Sequence, residues 1–180
     1  TVALPSEDVM AATFNKELIY EVGRVIANNC IAADIDCLYG PGTNMHRTPY
    51  GGRNFEYFSE DPFLSGEMGK HEVQAMTDKG IFVVLKHFAL NDSEQDRIGL
   101  GVWLSEQAAR EIYLKAFQGA LENENGNGVM LAYTRWGTQW SGSVPGLNHI
   151  MRTEWNNNGL NITDNILTAY VNPLDGVFGI

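Results

Sequence analysis

Cysteine is scarce in this sequence. Only two occur, Cys30 and Cys37, too few for a disulfide framework. Cys30 lies in a helical pattern and Cys37 in a strand pattern, so both read as small buried hydrophobes and neither as a metal ligand. No apolar run approaches the roughly 20 residues needed to cross a bilayer, and no membrane contact is expected. The amino end lacks a basic segment followed by an apolar one. Its first residues, TVALPSEDVM, read as the middle of something, and localisation stays open, with only the missing leader leaning toward the cytoplasm. Basic residues are outnumbered: 12 Lys and Arg against 22 Asp and Glu leave a net charge of −10. That field repels a phosphate backbone and excludes nucleic acid as a partner, while a neutral ligand such as a sugar meets no barrier. A GxGxxG turn, a Walker-type loop and a solenoid-period repeat are all missing. No cofactor and no metal is expected.

What is present suffices for one globular domain. Of the 180 residues, 44% are apolar, 11% aromatic and 19% charged, a composition foreign to disordered or collagen-like chains. Leu18, Ile19, Val22, Val25 and Ile26 recur at helical spacing, predicting an amphipathic helix over Lys16–Ala33. The run DIDCLYG, Asp34 to Gly40, reads as a buried strand ending in Gly-Pro-Gly. A loop rich in Gly, Arg and aromatics follows, and Pro62 opens a helix to about Asp78, with Gly80 as its stop. IFVVLK, Ile81 to Lys86, is the second strand. Ser105 caps a helix over Glu106–Glu122 whose Ala109, Ile112, Tyr113, Ala116, Phe117 and Ala120 share one face. GVMLAY, Gly128 to Tyr133, is the third strand, a helix spans Val144–Asn156, and LNITD, Leu160 to Asp164, is the fourth strand.

Continuous apolar strands separated by helices describe an α/β fold with a parallel sheet covered on its faces. Four βα units fit a small open domain. They equally fit half of an eight-stranded barrel, which needs about 250 residues in full. The residues that close the strands favour the barrel: Lys86 with His87, Tyr133, and Asp164, while Gly40 opens the Arg-bearing loop. Carboxyl ends of parallel strands share one rim, so these groups are expected to converge.

Several segments carry a resemblance. GPGTNMHRTPYGGRNFEYFSEDP (Gly40 to Pro62), KHFALNDSEQDR (Lys86 to Arg97), LSEQAAREIYLKAFQGAL (Leu104 to Leu121), VMLAYTRWG (Val129 to Gly137) and LNITDN (Leu160 to Asn165) resemble, in order and spacing, glycoside hydrolase family 3 enzymes of the β-glucosidase type. The resemblance implies a partial (β/α)8 TIM-type barrel and retaining hydrolysis of O-glycosyl bonds, with a β-glucoside or related sugar as substrate. It further implies that Asp164 is the nucleophile, that Arg53, Lys86, His87 and Arg97 clasp sugar hydroxyls, and that Met130 and Tyr133 stand beside the nucleophile. Such chemistry pairs an attacking carboxylate with a carboxylic acid about 5–5.5 Å away. Glu56, Glu60, Asp61, His46 and Arg47 are read as structural loop ties, and Glu94 as an ion-pair support for Arg97 or Lys86.

Two departures qualify the resemblance. Asn165 stands where the family often has Trp. The early strands, with an Asp that holds the sugar's far hydroxyls, and the second domain that usually supplies the acid/base find no match, and LDGVFGI resembles an incomplete further unit. The chain is therefore expected to be one partial catalytic domain over 1–180, inactive alone and prone to self-associate through the open barrel side. The competing readings are a phosphorylase, a non-catalytic sugar-binding or structural module, and a Schiff-base barrel enzyme using Lys86.

Overall fold

The computed structural model describes residues 2–122 and 127–164. Along the chain come α1 (Glu7–Ala11), α2 (Lys16–Ala32), β1 (Cys37–Gly42), α3 (Pro62–Thr77), β2 (Phe82–Phe88), β3 (Gly101–Val102), α4 (Glu106–Ala108), α5 (Lys115–Leu121), β4 (Gly128–Leu131), β5 (Arg135–Trp136), β6 (Gln139–Trp140), α6 (Pro145–His149) and β7 (Asn161–Thr163). Strands β1, β2, β4 and β7 form a parallel sheet in that order. Each is joined to the next through helix, so the described residues form three βα units and a fourth strand of a TIM-type barrel laid side by side. No closed barrel is present among the described residues.

Local chemistry explains most boundaries. Asn15 caps α2 by accepting from the Leu18 amide, Asp61 caps α3 through the Phe63 and Leu64 amides, and Ser105 caps α4 through that of Ala108. Each side chain satisfies an amide that the first helical turn leaves unpaired. A π-helical turn, Ala109–Tyr113, separates α4 from α5 within the single helix expected there, and a second, Ile150–Glu154, continues α6. An extra residue in such a turn keeps Ala109, Tyr113, Ala116 and Phe117 facing the sheet. β1 starts at Cys37, later than its apolar pattern suggests, because Asp34 occupies the left-handed region at φ 57° and ends the preceding turn.

Three expectations need correction. Cys37 is exposed while Cys30 is buried, since the amino half of β1 has no cover among the described residues. Leu18 and Val25 also face solvent. The inward stripe of α2 is Ile19, Gly23, Ala27 and Cys30, mostly small residues that let α3 approach closely. The segment between β2 and α6 also holds structure that periodicity missed, a three-stranded sheet β3-β5-β6 built from two-residue pieces too short to show a pattern.

The core lies between the parallel sheet and its helices. Val83, Leu85, Phe88, Phe117, Val129 and Met151 are all at most 2% exposed. Phe88 packs edge-on against Phe117 at 5.2 Å and Trp155 at 6.2 Å between centroids, anchoring the end of β2 from below. Two glycines permit close approaches. A Cβ on Gly128 would collide with the Leu160 carbonyl at the entry to β7, and one on Gly42 would collide with the Glu56 carbonyl and the Tyr57 ring. Asn157 secures the approach to β7, donating to the carbonyls of Leu121 and Asn127 at 3.0 and 3.2 Å.

One buried pair works against folding at neutral pH. Burial pushes the Glu72 carboxyl up to about 7 and holds Glu7 well above the carboxylate range, with Glu72 and Glu56 adding to the rise at Glu7 and Lys86 opposing it. The two carboxyls share a hydrogen bond, which requires a proton on one of them, and one oxygen of each is buried without a partner. A folded-state pKa above the unfolded value means that the folded chain holds protons more tightly. This contribution is greatest below the unfolded value of about 4.5 and declines as pH rises through 7. Glu7→Gln supplies an amide donor at every pH. Its thermal midpoint relative to the parent chain should therefore rise steadily between pH 5 and 8.5; an offset independent of pH would contradict the shared proton.

Candidate active site

The carboxyl ends of the parallel strands deliver their side chains to one rim. Lys86 pairs in register with Gly42 on one side and Met130 on the other, whereas Phe88 pairs with Leu131. His87 is therefore an extra residue between two paired positions, a bulge in the ladder. In a regular strand consecutive side chains point to opposite faces, yet here Lys86 and His87 both reach the same cleft. Asn44 grips the bulge at both ends, accepting from the His87 amide at 2.8 Å and donating to its carbonyl at 2.9 Å.

The loop after β1 brings Arg53. Close contact of Gly42 with Tyr57 seats this loop, and the His46 Nε2–H donates to the carbonyls of Asn54 and Tyr57 at 2.8 and 2.9 Å. His46 is thus a loop tie, as expected, and Arg47 lies over the Tyr113 ring at 5.4 Å. Asp61 is the cap of α3. Glu56 does more than its structural reading suggests. One of its oxygens accepts from Lys86 Nζ at 2.6 Å and the other from Arg53 Nε and Nη2, both at 2.6 Å. Burial alone would raise this carboxyl, but the hydrogen bonds and charges of Lys86 and Arg53 outweigh it and hold it below its usual range.

Glu94 continues the alternation. It pairs with Arg97 at 2.7 Å and with Arg53 at 3.7 Å, and it also accepts from Asn91 Nδ2 at 2.9 Å. Its support goes to Arg97 and Arg53 and not to Lys86. The Arg97 guanidinium lies 5.0 Å over the Tyr133 ring. Asp164 follows β7 directly, with Oδ2 3.7 Å from His87 Nε2. Burial first, then the charges of Arg53, Lys86 and Arg97, push His87 down to about 2, so its imidazole is neutral.

A cleft of 500 Å³ is lined by Arg53, Lys86, His87, Arg97, Met130, Tyr133 and Asp164, joined by Tyr39 and Glu94. All seven residues singled out from sequence thus share one cavity. Tyr39, Glu56, Tyr57 and Asn91 were not singled out for the site. Among these only Glu56 carried a visible signal, an acidic residue three positions after an Arg in a loop. A larger groove of 940 Å³ lies elsewhere, lined by Phe14, His46, Phe58, Glu60, Phe63 and Met68. It gathers no cluster of cations around a carboxylate, unlike the smaller cleft. Asn165 lies outside the described residues. No group of three or more His, Cys, Asp or Glu side chains suited to a metal occurs among the described residues, and no described helix is long and apolar enough to cross a membrane.

Comparison with known proteins identifies the fold and the family. The chain is 42% identical over 163 residues to a β-glucosidase of Ruminococcus albus, covering 90% of this chain and 17% of that protein. It is 35% identical over 161 residues to the thermostable β-glucosidase B of Acetivibrio thermocellus, covering 89% of this chain and 21% of that one. Among solved structures, β-glucosidase 3B from Thermotoga neapolitana in complex with glucose superposes with a TM-score of 0.87 at 37% identity, over 90% of this chain and 23% of that one. The β-glucosidase from Kluyveromyces marxianus gives the same TM-score and identity, over 90% of this chain and 20% of that one. The chain thus spans about a fifth of the length of these relatives. The family described as "Glycosyl hydrolase family 3 N terminal domain" matches residues 1–173, and the chain belongs to that family.

Proposed function

We propose that these residues form part of the catalytic domain of a retaining β-glycosidase, most simply a β-glucosidase, with Asp164 as its nucleophile. The observation that carries this reading is the convergence of one strand-end carboxylate with Arg53, Lys86, His87 and Arg97 in a single cleft. In the first step Asp164 attacks the anomeric carbon and forms a C–O bond as the glycosidic bond breaks; the leaving oxygen takes a proton from an acid. Water then attacks the anomeric carbon, giving up its proton to the same group, and frees Asp164. Arg53, Lys86, His87 and Arg97 donate to ring hydroxyls, while Met130 and Tyr133 form the wall beside the nucleophile. The acid/base comes from outside this chain, in a second domain of the parent protein. The relatives' names support glucose over xylose or arabinose.

A Schiff-base role for Lys86 is disfavoured. Its Nζ is engaged by Glu56 at 2.6 Å, the opposite of the desolvated or cation-flanked setting such a lysine needs. Self-association belongs to the same proposal. β1 is an edge of the sheet among the described residues, and Ile35 and Tyr39, before and within it, are exposed. The chain should elute from a sizing column as a dimer or larger species; a monodisperse monomer would count against this.

The decisive test removes the need for an acid. A dinitrophenyl 2-deoxy-2-fluoro-β-glucoside carries a leaving group that departs unprotonated, so it should label Asp164 covalently, seen as a mass increase on its peptide. Asp164→Asn should take no label. Labelling of the variant, or none of the parent chain, would overturn the nucleophile assignment. Ordinary alkyl glucosides should turn over about 10²–10⁴-fold more slowly than in a protein that also carries the acid. Glu56→Gln leaves Lys86 and Arg53 short of a counter-charge. It should lower unfolding stability by about 1–3 kcal/mol in urea titrations and slow the labelling of Asp164 by weakening sugar binding.

A further inference from the structure

His87 lies between two polar systems. On one side its Nε2 faces Asp164 Oδ2 at 3.7 Å. On the other its Nδ1 is 3.0 Å from the Tyr57 hydroxyl, and Asn91 Nδ2 reaches that same hydroxyl at 3.0 Å. His87, Tyr57 and Asn91 are 3%, 2% and 1% exposed, so water does not compete for these contacts. The direction of each bond follows from Glu94. A carboxylate bound to Arg97 and Arg53 only accepts, so the Asn91 group 2.9 Å from it is the amide NH₂. The NH₂ also donates to the Tyr57 oxygen, which leaves the phenolic proton needing an acceptor. Among the described residues, His87 Nδ1 is the acceptor within reach. A ring nitrogen that accepts is unprotonated, and a neutral imidazole then carries its proton on the other nitrogen.

We infer that Tyr57, oriented by Asn91 and Glu94, is a positioning residue that locks His87 as the Nε2–H neutral tautomer, so that His87 only donates toward the cleft. This rests on the glycosidase reading for its consequence but not for its geometry. With Nδ1 filled by the phenol and Nε2 already protonated, the imidazole has no lone pair to take a proton from water. It serves as a fixed donor for the sugar, 3.7 Å from the attacking carboxylate, and general acid/base work falls to another residue. The groups facing it from the surrounding elements are Arg53 on the loop after β1, Lys86 on β2, Arg97 on the following loop, Asp164 after β7 and Tyr57 itself. Its three cationic neighbours oppose a second proton on the ring. Burial likewise raises the Tyr57 phenol above its ordinary value, so the phenol keeps the proton it donates.

The test reads the tautomer directly. The chain has four histidines. Uniform ¹⁵N labelling with long-range ¹H–¹⁵N correlation separates their ring patterns, and His87→Gln identifies the His87 signals by their loss. The expected result is one Nε2–H pattern for His87, unchanged from pH 5 to 8.5. An Nδ1–H pattern, or an imidazolium that titrates in that range, would overturn the inference in the parent chain alone, whatever becomes of the variants. Tyr57→Phe deletes the donor to Nδ1 and should convert the single pattern into a tautomer mixture; an unaltered spectrum would refute the role of Tyr57. Asn91→Ala should shift the same signals less. In a protein that also carries the acid, Tyr57→Phe should lower kcat/KM for an aryl glucoside about tenfold, the worth of one well-made hydrogen bond. Failure of the fluoro-glucoside to label Asp164 would sink the glycosidase reading and leave the tautomer result standing.

Discussion

The cleft depends on charge alternation. Three cations, Lys86, Arg53 and Arg97, are gathered at one rim with only a fifth to a quarter of each side chain exposed. Bringing them together without counter-charges would cost several kcal/mol in mutual repulsion and lost hydration. Glu56 and Glu94 remove that cost by standing between them, in the order Lys86, Glu56, Arg53, Glu94, Arg97. The chain of pairs also fixes where each donor points, because every guanidinium or ammonium has a partner behind it. Any neutral hydroxyl entering the cleft, such as that of the sugar proposed above, would meet donors whose orientation is already set and would lose little by the exchange with water.

The fold supplies the platform for that alternation. A parallel sheet puts all its carboxyl ends on one side, so residues from β1, β2, β4 and β7 meet although far apart in the chain. The bulge at His87 turns two consecutive side chains of β2 into one cavity, and the hydrophobic contacts of Phe88 with Phe117 and Trp155 brace the strand just beyond it. Gly42 lets the Arg53 loop lie directly on β1, and Asn157 holds the approach to β7 and thus the setting of Asp164. Packing in one part and polar geometry in the other are therefore inseparable.

His87 illustrates how the surroundings choose a residue's chemistry. An imidazole in water titrates near neutrality and is the usual acid or base. Buried beneath three cations and tied to a phenol, it becomes a permanently neutral donor.

The amino-acid sequence by itself determined the alternation of helices with four parallel strands and the placing of Lys86 and Asp164 at strand ends. Those features are written in local periodicity, in caps such as Asp61 and Ser105, and in apolar runs that stop at Lys86 or Asp164. The order of the strands in the sheet, and the end of the third at Leu131 and not at Tyr133, came from the structure. Arg53, Arg97, Met130 and Tyr133 were reached through ordered motifs that resemble the family, and all fall in the cleft. Of the partners, Glu94 beside Arg97 was legible three residues away, but those across longer stretches of chain were beyond its reach. Glu56 meets Lys86 and Tyr57 meets His87 from thirty residues away, and no local pattern distinguishes an acid that ties a loop from one that neutralises a lysine across it. The exposure of Cys37, Leu18 and Val25 was equally invisible, because a strand or helix pattern records which face is apolar and not which neighbour covers it. Tertiary structure alone decided those matters, since electrostatic pairing and desolvation depend on distances through space that spacing along a chain does not encode.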